Sequence, residues 1–107
     1  MNGKLTTHVL DTRSGKPAAG MKIELLVAGK LVASLTTNKD GRTQDPLIAS
    51  GSLEKGEYEI RFYVGSYFQE KNFLDVVPIR FLITDPSQNF HVPLLCSPWS
   101  YTTYRGS

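Results

Sequence analysis

The chain has 107 residues, of which 40% are hydrophobic and 21% are charged, and its formal net charge is +2. This length fits a single small domain, and the composition excludes a disordered chain and a membrane-spanning one. Twelve Lys and Arg residues are spread among ten Asp and Glu residues, so the charge gives no reason to expect a nucleic-acid partner. We therefore predict one domain over residues 1–107, with no nucleic acid and no membrane among its partners.

The start of the chain and its cysteine content bear on the compartment. The first residues, MNGKLTTHVLD, contain no apolar segment that would serve as a secretory signal. The single cysteine, Cys96, cannot form an internal disulfide and is expected to be a packed small hydrophobe rather than a nucleophile. Both features favour a reducing environment, and we expect a cytoplasmic protein.

Alternating apolar and polar residues, interrupted by turn signals about every eight to twelve residues, predict an all-β fold. The first strand is expected at about 4–10, with Leu5, Thr7 and Val9 on one face and Thr6, His8 and Leu10 on the other. Strands at 21–27 and 31–37 are joined by AGK, which indicates a hairpin. The turn NKDGR follows, and then a short extended stretch near 42–47.

The second half contains the clearest alternation, in EYEIRFYV at 57–64, where Tyr58, Ile60, Phe62 and Val64 are expected to face inward and Glu57, Glu59 and Arg61 outward. One short helix is predicted over 66–73, with Ser66 as its N-terminal cap. Further strands are expected at 78–85, 90–95 and 100–105. The prediction is a two-sheet sandwich or a barrel of seven or eight strands.

Two histidines, His8 and His91, lie within predicted strands. A lone histidine on a strand is usually a hydrogen-bonded structural residue, and an arginine after a turn, such as Arg42, is usually solvated. The two histidines are too far apart for a short metal-binding spacing, so we predict no metal site. If their strands lie side by side in one sheet, the two imidazoles can face the same surface.

The C-terminal run FHVPLLCSPWSYTTYRGS is unusually rich in aromatic and large apolar residues. Such density marks either a core or an interface between subunits. Chain termini normally fray, so the strand at this end is expected to need partners. An oligomer would supply them and would add stability to a small core.

Three separated segments resemble one known family across essentially the whole chain. They are LTTHVLDTRSGKPAAG near the start, DGR in the middle, and the C-terminal run that ends in YRGS. The family is that of the transthyretin-like proteins that act as 5-hydroxyisourate hydrolases in purine degradation. The closing YRGS is present in the hydrolases and lacking in the hormone-carrying transthyretins.

The resemblance implies a transthyretin-like two-sheet β-sandwich that assembles as a homotetramer, a dimer of dimers, with active sites at the dimer–dimer interface. It also implies that the first strand and the Phe90 strand are neighbours, with the last strand beside the latter. The family's catalytic positions are occupied here by His8, Arg42, His91 and Ser107, and Tyr104 matches a tyrosine that lines the substrate site. Asn89 departs from the family, because many members carry a further histidine there.

The implied activity is hydrolysis of 5-hydroxyisourate to 2-oxo-4-hydroxy-4-carboxy-5-ureidoimidazoline, with no cofactor. A neutral imidazole of His8 or His91 suits the removal of a proton from the attacking water, and Arg42 suits the binding of ring carbonyls and of the developing negative charge. Which histidine is the base stays open. Two alternatives are a small-ligand carrier of the transthyretin kind and a generic interaction sandwich that uses its aromatic end strand.

Overall fold

The computed structural model describes residues 1–106, and within them the chain forms eight strands and one helix. The elements are β1 (Leu5–Asp11), β2 (Lys16–Pro17), β3 (Lys22–Val27), β4 (Lys30–Thr36), β5 (Gly56–Tyr63), α1 (Val64–Phe68), β6 (Val76–Ile83), β7 (Phe90–Cys96) and β8 (Tyr101–Thr103). The predicted sandwich with one short helix is confirmed. No helix among the described residues has the length or the apolar character needed to cross a membrane.

The strands form two four-stranded sheets, ordered β2-β1-β7-β8 and β4-β3-β5-β6. In the first sheet, β1 runs parallel to β7, and β8 pairs with the other edge of β7 in the antiparallel sense. The adjacency that the resemblance implied is therefore present. It brings a strand from the start of the chain next to one from its end, and both of them carry a histidine.

The core lies between the two sheets and follows the alternation of the strands. Along β1 the buried positions are Leu5, Thr7, Val9 and Asp11, as the period-two pattern predicted for the first three. The largest fully buried side chain is Phe62 of β5, which packs in the same cluster as Leu94 of β7. One face of β1 and of β7 fills the interior. The other face of each strand can therefore carry polar and ionisable side chains.

The helix is shorter than predicted and begins earlier. It starts at Val64, directly after β5, and has no side-chain hydrogen bond at its N-terminus, so the predicted Ser66 cap is wrong. Ser66 lies inside the helix, and Gln69 ends it in the left-handed conformation, at φ 55°. Val64 is buried as expected, but in the helix rather than in the strand.

The extended stretch predicted near 42–47 is not a strand. The free edge of β1 bonds to the residues on either side of this stretch. The Val9 N–H donates to the Gly41 carbonyl (2.8 Å), and Leu5 and Ile48 exchange two bonds, from the Leu5 N–H (3.1 Å) and from the Ile48 N–H (3.3 Å). Between them the chain arches away from β1, and it includes Pro46, which has no N–H to donate. We call residues 42–47 the arch.

Glu59 faces outward from β5 as predicted, yet only 9% of it is exposed. Arg61 and Arg80 donate hydrogen bonds to its two carboxylate oxygens, at 2.5 and 2.6 Å, and cover it. These bonds lower the pKa of Glu59. The outward face of this second sheet thus carries its own satisfied charge cluster.

Candidate active site

The two histidines lie on the outward face of the β2-β1-β7-β8 sheet and are both half-buried. The parallel register places Thr6 opposite His91 and His8 opposite Pro93. An offset of one strand and two residues separates the two histidine Cα atoms by about 8 Å, given standard strand spacing. Side chains at such positions reach a common space above the sheet.

The His91 ring is held on two sides. Its Nδ1 atom and the Thr6 hydroxyl oxygen are joined by a hydrogen bond of 2.8 Å. The tail after β8 crosses β7 at the same residue, where the Gly106 N–H donates to the His91 carbonyl at 2.7 Å. A Cβ atom on Gly106 would stand 2.6 Å from Cδ2 of His91, so the tail packs against the ring only because residue 106 is glycine.

Arg42 reaches the same region from the arch. A cavity of about 150 Å³ separates the arch from β1, and its lining includes Thr6, Arg42 and Asp45. Within residues 1–106 the Arg42 guanidinium forms no ion pair.

The charges of Arg42 and His8 affect the pKa of His91. The pKa of His91 lies below its ordinary value of 6.5, first because the ring is partly buried and then because the positive charges of Arg42 and His8 are close to it. A backbone hydrogen bond at Thr6 acts in the opposite direction without reversing the shift. Burial of the ring contributes more to this lowering than the two positive charges do. His91 is thus a neutral imidazole at pH 7.

Of the predicted site residues within 1–106, only Arg42 lines the cavity between the arch and β1, and Thr6 connects it to the His91 ring. Ser107 lies outside the described residues. Tyr104, on the tail, lines a separate cavity of about 310 Å³ between β6 and the tail. The tail itself is anchored by Arg105, whose guanidinium stacks 4.2 Å from the centre of the Phe90 ring and donates to the Gln88 side chain at 2.7 Å.

Neither a metal site nor a reactive thiol emerges from residues 1–106. No three His, Cys, Asp or Glu side chains within that range gather closely enough to hold a metal ion. Cys96 is fully buried, and burial raises the pKa of its thiol to about 12. A thiol in this state is almost never the reactive thiolate, as expected from the sequence.

Sequence reasoning missed three residues that shape the site. Thr6 bonds the His91 ring, Gly106 packs against it, and Gly41 brings the arch to β1. Thr6 shares the outward face with His8, which is a visible signal, but its partner on β7 is 85 residues away in the chain. The roles of Gly41 and Gly106 could not be predicted from the sequence, because a glycine in DGR or YRGS also fits an ordinary turn.

A substitution of Gly41 tests whether the arch positions Arg42. Gly41 has φ 74°, and an added Cβ would overlap the carbonyl oxygen of Val9. We expect Gly41→Ala to lower the free energy of unfolding by about 1–3 kcal/mol and to displace Arg42. Gly15→Ala is a matched control, because Gly15 has φ 76° and an added Cβ would meet no atom within 4 Å.

Chemical denaturation and a ligand-binding or rate assay measure the two effects. Gly41→Ala is expected to lose function at temperatures where it is still folded, whereas Gly15→Ala loses only a little stability. If Gly41→Ala and Gly15→Ala gave the same binding or rate, the close approach of Gly41 to Val9 would not be what positions Arg42.

The chain belongs to the HIUase/Transthyretin family, whose profile matches residues 5–106. It is 52% identical over 113 residues to a 5-hydroxyisourate hydrolase of Deinococcus radiodurans, covering 96% of this chain and 95% of that protein.

Two solved structures share the fold. One, described as (S)-allantoin synthase, is 43% identical with a TM-score of 0.93; the match covers 99% of this chain but only 44% of that one. The other is the 5-hydroxyisourate hydrolase of Klebsiella pneumoniae, 32% identical with a TM-score of 0.86, covering 98% of this chain and 100% of that chain.

Proposed function

We propose that this protein is a 5-hydroxyisourate hydrolase that opens the ring of its substrate by the attack of water on a ring carbonyl, giving 2-oxo-4-hydroxy-4-carboxy-5-ureidoimidazoline. The observation that carries the proposal is the convergence of His8, His91 and Arg42 on one side of one sheet, close enough for the charges of Arg42 and His8 to lower the pKa of His91. Two relatives that carry this name match the chain over nearly their whole length, and this similarity supports the proposal.

The chemistry follows from the side-chain types. Water is a poor nucleophile at neutral pH, so a base must take its proton as it attacks. Neutral imidazole suits this task, and the lowered pKa keeps His91 neutral at pH 7. One imidazole accepts the proton, and the other orients the water or protonates the departing nitrogen of the ring.

Arg42 supplies the positive charge. Its guanidinium presents a planar fork of donors that matches the carbonyl edge of a flat heterocycle. Negative charge develops on the carbonyl oxygen during attack, and a fixed cation beside it lowers the barrier. Ser107 completes the proposed site through its hydroxyl or its terminal carboxylate. Tyr104 lines a separate cavity within one subunit, and we propose that it becomes a wall for the substrate in the assembled oligomer.

The proposal includes assembly and location. We propose a homotetramer, built as a dimer of dimers, in which the face that carries the histidines meets another subunit and the cleft closes. Exposed aromatic residues on and beside the last strand, Trp99, Tyr101 and Tyr104, support an interface in this region. The proposed compartment is the cytoplasm, and the reaction uses no cofactor.

The direct test is the ultraviolet absorbance of freshly generated 5-hydroxyisourate, followed with and without the purified protein. A hydrolase accelerates the decay in proportion to its concentration. A carrier of the transthyretin kind, or an interaction module, leaves the decay at its spontaneous rate, and that result would refute the proposal.

The pH dependence provides a second test. Because the pKa of His91 is lowered from 6.5, the midpoint of its protonation lies below pH 6.5. We therefore expect the midpoint of the acidic decline of kcat/KM to lie below pH 6.5. Replacing Arg42 with glutamine removes one positive charge, so the acidic decline is expected at a higher pH in the residual activity.

A profile whose acidic decline lies well above pH 6.5 would show that a group other than His91 limits the rate. Proton NMR of the imidazole identifies the titrating residue directly, since the chain contains only two histidines.

A further inference from the structure

The Thr6 hydroxyl contacts the proposed catalytic side chain of His91, and the proposed hydrolysis gives this hydroxyl no role. Its Oγ1 atom lies 2.8 Å from Nδ1 of His91 and has no second hydrogen-bond partner among residues 1–106. The contact depends on the parallel register, which places the two residues directly opposite each other. A slip of one position would turn Thr6 to the interior.

The next residue shows that this arrangement is specific. Thr7 is buried on the opposite face of β1, and its hydroxyl donates to the main-chain carbonyl of Val92 at 2.7 Å. Two consecutive threonines thus have different partners, a backbone carbonyl inside the core and an imidazole outside it. The Thr7 bond joins the two strands, whereas the Thr6 bond acts on a side chain that can exchange protons.

We propose that Thr6 is a positioning residue for His91, holding the ring through Nδ1 so that Nε2 is the nitrogen that meets water or substrate. For Nε2 to accept a proton, the neutral ring carries its own proton on Nδ1, and in the proposed arrangement this N–H donates to the Thr6 hydroxyl oxygen. Gly106 packs against Cδ2 of the same ring and limits its rotation. With Nδ1 engaged, the ring exchanges protons with the cleft through Nε2 alone.

This inference rests on the proposed hydrolase function for its kinetic consequence but not for its structural one. The variant Thr6→Val keeps the shape of the side chain and removes the hydroxyl. We expect it to lower kcat/KM about tenfold, as the loss of one oriented hydrogen bond implies, with the loss mainly in kcat. Thr6→Ser restores a hydroxyl at the same position and is expected to recover most of the rate.

Thr12→Val is a matched control. The Thr12 hydroxyl also links β1 to β7, through a bond to the carbonyl of Cys96 at 3.0 Å, but at the far end of the strand pair from His91. We expect this variant to lose some stability and to keep the kinetic constants of the wild type.

The decisive readout is ¹⁵N NMR of the His91 ring, which reports the tautomer without any substrate. Its signals are assigned with a His8→Asn variant, which leaves His91 as the single histidine. We expect the Nδ1–H tautomer to dominate in the wild type and in Thr6→Ser, and to lose that dominance in Thr6→Val. The Thr12→Val spectrum should match that of the wild type.

Two outcomes would overturn the inference. One is a His91 tautomer that is unchanged in Thr6→Val, and the other is a loss of kcat in Thr6→Val that Thr6→Ser does not recover. If the wild type shows no hydrolysis at all, the proposed function fails, but the tautomer measurement still decides whether Thr6 positions the ring.

Discussion

Replacing Arg42 with lysine lowers kcat/KM for 5-hydroxyisourate by about 100-fold to 1,000-fold, the range found when one oriented donor to a developing oxyanion is lost. Lysine keeps the positive charge but presents a single point of donation in place of a planar fork. The charge that lowers the pKa of His91 is therefore retained, and the loss reports the geometry of the guanidinium. The assay is the initial rate of ultraviolet loss of the substrate.

Arg61→Lys is the control for this variant. Arg61 lies on the other sheet, where it bonds Glu59, and it is remote from the arch. We expect its kinetic constants to equal those of the wild type. If Arg42→Lys also retained the wild-type rate, the guanidinium would not bind the reacting carbonyl, and Arg42 would be a solvated turn residue as its sequence context alone suggests.

The histidine variants His8→Asn and His91→Asn each lower kcat by about 100-fold to 10,000-fold, because each removes a group that transfers or orients a proton. Asparagine suits His91 in particular, since its side-chain amide reaches the place of Nδ1 and keeps a partner for Thr6. The fold is therefore expected to survive, which circular dichroism and a thermal melt would show. A His91→Asn enzyme with normal kcat would remove His91 from the proton transfer.

The alternation of the strands could be predicted from the sequence because burial alone dictates it. β1 shows this best, since one face of the strand is core and the other is not. The arch was predicted wrongly because its path depends on how much of the β1 edge is free, a property of the assembled sheet. The helix was misplaced because Val64 follows β5 without a turn signal and the helix is only five residues long.

The candidate site divides in the same way. His8, Arg42 and His91 could be picked from the sequence as residue types, and the resemblance predicted that the first and seventh strands are neighbours. Their register could not be predicted, because β1 and β7 are separated by most of the chain. Thr6 therefore had no visible partner, although it lies two residues from His8.

The central claim is that His8 and His91 act together in one cleft, and a double-variant cycle tests it most directly. The rate of 5-hydroxyisourate loss is measured for the wild type, His8→Asn, His91→Asn and the double variant. Residues that act as a unit in one step are strongly non-additive, so the double variant is expected to be about as slow as the slower single variant. Losses that multiply would show that the two imidazoles act independently, which would contradict a shared water-activating cleft.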